Sequence, residues 1–244
     1  MNGKLMTRFG SKTKSGRDWF FNFLFPKNCL GCAKEGEWLC AKCRVLLKVK
    51  SISECLICRR PQITAKVCDH CRGKSPLDGL WVMADFEDKL IKQIIHLIKY
   101  NFVLDLAEVF DEMMKNYFSR VGDWRGSFPL LPVPLHRRRF LERGFNQAEL
   151  VAESASRILG NEISEPILKR KRYLKPQAKL SLSGRLKNIK GNFGLMEAAA
   201  ERFSKDGIIL VDDVYTSGAT MQEGAKILKE NGFKEVWGLV VARG

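Results

Sequence analysis

Eight cysteines fall as four CxxC pairs inside one short stretch, Cys29/Cys32, Cys40/Cys43, Cys55/Cys58 and Cys68/Cys71, and the rest of the 244 residues hold no other. Two thiolates separated by two residues grip one ion from a tight turn, and a second such pair completes a tetrahedral zinc site. Taken in order, Cys29, Cys32, Cys40 and Cys43 form one structural zinc site and Cys55, Cys58, Cys68 and Cys71 the other, with pairing across the two sets as the alternative. A disulfide framework competes with this reading, but strict CxxC spacing in a chain expected to be cytoplasmic argues against it. A redox CxxC would normally occur once, and His70, inside the last pair, is a spectator where eight thiolates are available. So short a segment has almost no apolar core of its own. Metal binding then contributes most of its folding free energy, and without metal it is expected to be unfolded.

Charge follows the same division. The formal net charge is +15, and residues 1–74 carry 16 basic against 5 acidic groups. Eight thiolates and two zinc ions would lower that front half to about +7, still basic enough to suit a polyanion whose counterions are released on contact. Solubility charge is the plainer explanation. Lys42, Arg44, Lys48, Lys50, Arg59, Arg60, Lys66, Arg72 and Lys74 punctuate the knuckles, with Trp38 among them. That mixture fits nucleic-acid binding, although zinc ribbons also serve as protein-docking modules. The segment 1–26 is basic and lacks a secretory apolar core, and its longest apolar run, Trp19 to Phe25, is broken by Asn22 and is far short of a membrane span. The expected organisation is a basic segment 1–26, a double zinc ribbon 27–74, and a larger domain 79–244.

From Leu80 onward strand-like and helix-like segments alternate. Leu80–Phe86, Phe128–Val133, Ile163–Leu168, Ile208–Val211 and Val236–Val241 read as strands. Asp88–Tyr100, Val103–Phe118, Asn146–Leu159 and Ala219–Glu230 read as helices. This alternation predicts an α/β fold with a parallel sheet and helices on both faces, where ligands bind beyond the carboxyl ends of the strands. On the helix 88–100, His96 is expected on the apolar face as a core histidine, and His136, beside three arginines, is expected to stay neutral.

The most informative run is Asp212-Asp213-Val214-Tyr215-Thr216-Ser217-Gly218-Ala219-Thr220, which follows the apolar strand 208–211 and enters a helix. Thr, Ser and Gly there expose amides and hydroxyls at a helix amino terminus, a cradle for phosphate. Asp212 and Asp213 would repel a phosphate set directly on them, so their expected task is to hold ribose hydroxyls or a magnesium shell. The run resembles the phosphoribosyl-diphosphate (PRPP) loop of type I phosphoribosyltransferases. That resemblance implies a Mg–PRPP ligand, with Asp212 and Asp213 as catalytic residues and 212–220 as the phosphoribosyl-binding loop.

Further blocks resemble the ComF family of competence proteins: Phe25-Pro26 ahead of Cys29, Leu97-Ile98-Lys99-Tyr100, Pro132-Val133-Pro134-Leu135-His136, Arg143-Gly144-Phe145-Asn146-Gln147, and then Gln177, Leu180-Ser181, Arg185, Asn188, Gly191 and Phe193. Lys175 stands where the family more usually has Thr. The resemblance implies handling of single-stranded DNA during natural transformation, beside a ComFA-like DNA translocase. Arg137, Arg138, Arg139, Arg143, Asn146, Gln147 and Arg185 are the expected pyrophosphate or nucleic-acid contacts, and Lys169, Arg170, Lys171, Arg172, Lys175 and Lys179 flank an expected mobile loop, so that the two basic clusters would line a phosphate-tracking groove near the cradle. Three functions follow: a DNA-handling protein that binds a phosphoribosyl ligand, an active phosphoribosyltransferase with an unknown acceptor, or an adaptor docked through its zinc knuckles.

Overall fold

The computed structural model describes residues 27–122, 124–171 and 191–244. The segment 1–26, with Phe25-Pro26, lies outside the described residues, as does the stretch that holds Arg172, Lys175, Gln177, Lys179, Leu180-Ser181, Arg185 and Asn188. The chain divides into two compact units, 1–45 and 46–244.

In the first unit the Cys29–Cys32 turn is closed by Cys29 N donating to Lys34 O and Ala33 N donating to Cys29 O, each at 2.8 Å. Helix α1 (Ala41–Arg44) follows Cys40 and carries Cys43.

In the second unit a hairpin of β1 (Ser53–Glu54) and β2 (Pro61–Gln62) carries Cys55 and Cys58, and a 3-10 turn at Asp69–Cys71 after Cys68 supplies the other pair of the second cysteine set. The first sheet strand, β3 (Gly79–Asp85), leads to α2 (Lys89–Asn101), whose amino end is capped by Asp88 accepting from Leu90 N and Ile91 N. The apolar stretch 103–118 is divided in two, a tight 3-10 turn at Leu104–Ala107 and then α3 (Glu108–Phe118). Beyond β4 (Leu130–Pro132) comes α4 (Arg137–Arg143), and then α5 (Gln147–Leu159). A second hairpin, β5 (Leu168–Arg170) with β6 (Phe193–Leu195), precedes the short α6 (Glu197–Ala200). The chain finishes with β7 (Gly207–Tyr215), α7 (Ala219–Glu230) and β8 (Glu235–Arg243).

The main sheet is wholly parallel, in the order β3-β8-β7-β4. Both faces are covered, so β7 and β8 read as near-continuous apolar runs. Leu80, Val82, Ile208, Leu210, Val236 and Val240 pack with Met221, Ala225 and Leu228 of α7. On the other face α3 and α5 cover the sheet, and Trp81 stacks on Trp237 with ring centroids 4.7 Å apart. Gly79 is required beside that stack, since a Cβ there would lie 2.2 Å from the Trp237 ring and 2.6 Å from Ala65 O. The fold is thus the expected α/β arrangement, and among the described residues no helix is long and apolar enough to cross a membrane.

Two departures from the pattern-based expectation have local causes. The strand expected at 163–168 shrinks to a single parallel bridge between Ile163 and Leu130, because Pro166 has no N–H for the ladder; pairing resumes only at Leu168. Strand β7 runs on through both aspartates to Tyr215, matched along its length by β8 up to Arg243.

The second cysteine set is part of the sheet unit. Cys55 and Cys71 are fully buried in the same apolar cluster as Leu77, Leu80 and Val236. Leu80 N donates to Ala65 O and Arg243 Nη2 to Leu56 O, so the knuckle is tied to both β3 and β8. Loss of metal should therefore have unequal effects at the two sites. Cys55→Ser should lower the melting midpoint of the sheet unit by more than about 10 °C, whereas Cys29→Ser should leave that transition in place. Zinc analysis with calorimetry of the two variants checks this, and equal loss of stability in both would contradict it.

Candidate phosphoribosyl and metal sites

Within each cysteine set the four sulfurs lie within 4.8 Å of one another, in the sequential pairing Cys29–Cys32–Cys40–Cys43 and Cys55–Cys58–Cys68–Cys71. The Cys32–Cys40 and Cys58–Cys68 sulfurs are each 3.7 Å apart. Four sulfurs about 2.3 Å from a central zinc would stand about 3.8 Å apart, so the donor sets fit zinc. Burial works against a thiolate at Cys29, but backbone N–H groups of Cys40, Gly31 and Cys32 donate to its sulfur and bring its pKa down to about 6. Hydrogen bonding to Cys40, then burial, pushes Cys43 up to about 12. Cys55 and Cys71 repeat the division, at about 6 and about 12. Four sulfurs this close cannot all ionise unless a cation neutralises them.

The acidic loop sits at the carboxyl end of the sheet. Because side chains alternate along a strand, β7 turns Asp212 and Asp213 to opposite faces, Asp212 half-buried and Asp213 buried. Asp213 meets the ammonium of Lys99 on α2, Nζ to Oδ2 at 2.6 Å, while its N–H donates to Asp212 Oδ1 at 2.9 Å. Asp212 feels Arg170 of β5, whose Nη2 reaches Thr220 Oγ1 at a long 3.5 Å. Burial first, and the neighbouring Asp213 second, push the Asp212 carboxyl up to about 7, against the pull of Lys99 and Arg170.

Val214 is half-buried, and Tyr215 is buried with its hydroxyl accepting from Gln222 Nε2 at 3.0 Å. Thr216, Ser217 and Gly218 form the turn into α7. Gly218 has φ +73°, and a Cβ there would lie 2.1 Å from the Tyr215 hydroxyl, so only glycine fits. Ala219 N donates to Ser217 Oγ at 3.5 Å and leads into Thr220 on the first turn.

Of the expected basic contacts, Arg137, Arg138, Arg139 and Arg143 lie on α4. Arg137 and Arg138 are exposed, and Arg138 pairs with Glu142. Arg139 is close enough to Arg170 to depress its pKa, in addition to the larger effect of burial. Arg143 Nη1 donates to Gln147 Oε1 at 2.8 Å, while Gln147 Nε2 is buried with no hydrogen-bond partner among the described residues. Asn146 is engaged by the fold: its amide nitrogen donates to Val133 O and its oxygen caps α5 at Ala148 N. Arg185 lies outside the described residues.

His136 Nδ1 accepts from Arg138 N and caps α4. His96 is exposed, its ring 4.7 Å from that of Tyr100, which corrects the expectation of a core histidine. Ile91, Ile94, Ile95 and Ile98 already occupy the buried face of α2, and His96 lies off that stripe. Sequence reading gave no role to Lys99. Its signals are its place in the Leu97-Ile98-Lys99-Tyr100 block and in the last turn of α2, beside the buried Ile98. A separate cleft of about 460 Å³, lined in part by Phe128, Ser164, Arg202 and Phe203, opens at the amino ends of β4 and β7, away from all these groups.

The chain is 31% identical over 236 residues to "Competence protein F" of Haemophilus influenzae, covering 91% of this chain and 99% of that protein. The chain belongs to the ComF family. A second family member, "Competence protein ComFC" of Bacillus subtilis, is 31% identical over 209 residues, covering 82% of this chain and 81% of its own length. The Escherichia coli K12 protein named "DNA utilization protein YhgH" is 29% identical over 220 residues, 82% of this chain and 95% of that one. No family model matches the chain.

The raised Asp212 carboxyl has a consequence for stability. Between its ordinary 3.8 and about 7 the folded form keeps a proton that the unfolded form releases, so stability falls as pH rises through this window and the loss is complete above it. Asp212→Asn should therefore melt higher than the parent at pH 8 by several degrees, and by less at pH 6. Melting curves at the two pH values check this; a pH-independent difference would show that the carboxyl is not raised.

Proposed function

We propose that this chain is a DNA-handling protein of natural transformation, which binds single-stranded DNA and uses its phosphoribosyltransferase-like sheet to hold a ribose 5-phosphate or PRPP-type ligand with magnesium. The observation that carries the reading is the edge of β7: two aspartates, then a Thr-Ser-Gly turn into α7, with Lys99 and Arg170 alongside. Amides at a helix start favour a phosphate, while the aspartates favour sugar hydroxyls or a hard cation. The donor chemistry fits magnesium, since two adjacent carboxylates of which one is held well above its usual range are relieved by a divalent charge. Relatives named for competence and for DNA utilization support the biological setting. A ComFA-like translocase is the partner that this setting suggests, and the cytoplasm is the matching location.

The test is fluorescence anisotropy of a labelled single-stranded oligonucleotide at two salt concentrations, with and without magnesium and PRPP. Salt-dependent binding with competition by PRPP is expected, since both ligands present phosphate to the same cradle. No binding of DNA at low salt would overturn the DNA-handling reading. Separately, Asp212→Asn with Asp213→Asn should weaken magnesium-dependent PRPP binding about a hundredfold or more, through several lost charge-assisted contacts; unchanged affinity would remove the ligand assignment.

A second reading, an active phosphoribosyltransferase, is favoured by one specific observation. A protein that needs only phosphate contacts has no use for a costly aspartate pair beside the cradle. Magnesium-dependent release of pyrophosphate from PRPP with some acceptor would establish turnover, and its absence across a broad acceptor panel would count against it.

A further inference from the structure

Beside the acid pair, where α2 ends and α4 begins its last turn, the surface is aromatic and cationic together. Tyr100 is 57% exposed, Phe102 51% and Phe140 43%. Tyr100 has His96 on one side and an arginine on another. The Arg143 guanidinium lies over the Tyr100 ring, 5.3 Å from its centroid, and is held from behind by Gln147. The edge of Phe102 meets Phe145 at 6.1 Å and 78°. Phe140 stands one turn before Arg143 on α4, a helix with four arginines against one glutamate. Lys99, adjacent to Tyr100, is the group bonded to Asp213, so this patch is continuous with the phosphoribosyl edge.

Phe102 adds an independent observation. It ends α2 with φ +59° and ψ +28°, a left-handed conformation that suits glycine or asparagine and is rare for an aromatic residue. Helix termination alone would place glycine there. Instead the position keeps a large ring, in a strained backbone, turned half into solvent. Exposed aromatic rings interleaved with arginine are what single strands require, because every base offers a face for stacking and every nucleotide a phosphate for a cation. The excess of positive charge on α4, four arginines against one glutamate, complements a polyanion.

We propose that Tyr100 and Phe102 form a stacking platform for the bases of a single-stranded DNA segment, with Arg143 and the α4 arginines tracking its phosphates toward the Asp212–Thr220 loop. This rests on the DNA-handling reading above and assigns where and how the strand lies. The platform reads base faces without reading their edges, so it gives affinity and no sequence preference.

The experiment compares two short labelled probes with the same number of phosphates, an oligothymidylate and its abasic counterpart. Wild type should prefer the thymine strand by about tenfold or more, each stacked base contributing a factor of that order. Phe102→Gly combined with Tyr100→Ala should abolish the preference and leave abasic binding unchanged. Tyr100→Trp should retain it. Phe102→Gly alone should melt no lower than wild type, because glycine adopts φ +59° freely, so that lost affinity cannot be put down to misfolding. Equal binding of both probes by wild type overturns the platform while leaving DNA binding intact. A preference that survives in the double variant also overturns it. Failure of wild type to bind either probe at low salt overturns the platform together with the DNA-handling reading.

Discussion

The parallel pairing of β7 with β8, which runs from Gly207–Glu235 to Tyr215–Arg243, is the constraint on which the rest of the second unit depends. Parallel neighbours need a crossover, so α7 must cover one face of the sheet, and the apolar runs of both strands must be buried from two sides. On one face this brings Met221, Ala225 and Leu228 onto Leu210 and Val236; on the other it brings Trp237 onto Trp81, a stack that admits nothing larger than glycine at position 79. Parallel strands also end at the same edge. That is why the acid pair of β7 and the segment leaving β4 toward α4 come together although some 75 residues separate Arg137 from Asp212.

The second cysteine cluster follows from the same pairing. Strand β8 ends in Arg243, 8% exposed, and a buried guanidinium needs acceptors. It finds Leu56 O inside the Cys55–Cys58 knuckle, with Glu54 nearby, and Glu54 and Asp85 in turn share Lys50. The knuckle is therefore a wall of the sheet unit as well as a metal grip. Cys55 and Cys71 count among its core residues, whereas the first cluster belongs to the unit that ends at Val45.

Periodicity and punctuation made much of this legible. The helix 219–230 is legible from its apolar spacing between Gly218 and Asn231, the strands expected at 80–86 and 236–241 lie within a residue or two of those formed at 79–85 and 235–243, and CxxC spacing marks both metal clusters. What stayed hidden depends on tertiary partners. Nothing in Arg137–Arg143 is apolar enough to announce a helix; α4 forms because His136 caps its start and Gly144 ends it. Asp212 and Asp213 look like strand breakers, yet β7 continues through them because β8 supplies the ladder and Lys99 the countercharge. Lys99 stands in a block that resembles the family, but its partner Asp213 is invisible until α2 is laid beside β7. Exposure of Tyr100 and Phe102 is equally invisible, since a helix rich in isoleucine gives no sign of which aromatic residues near its end will face water.

Alternation along β7 also changes what the acid pair can be. Adjacent in sequence, Asp212 and Asp213 look like one chelating unit; in the strand they face apart, and Lys99 pairs directly with Asp213, whereas Asp212 feels the charge of Lys99 and, less, of Arg170. The two carboxylates are therefore not equivalent. Asp213 is buried and already neutralised by a 2.6 Å ion pair, which makes it the fixed anchor of the edge. Asp212 is half-buried, and burial beside a second acid pushes its carboxyl up to about 7, so it is the group whose charge an incoming cation or hydroxyl would set. An edge that served only to end a strand would place a neutral residue there. Keeping an acid against that electrostatic opposition makes sense where a ligand relieves it, and the turn with glycine at 218 and Thr220 beside Arg170 lies within the next two turns of chain.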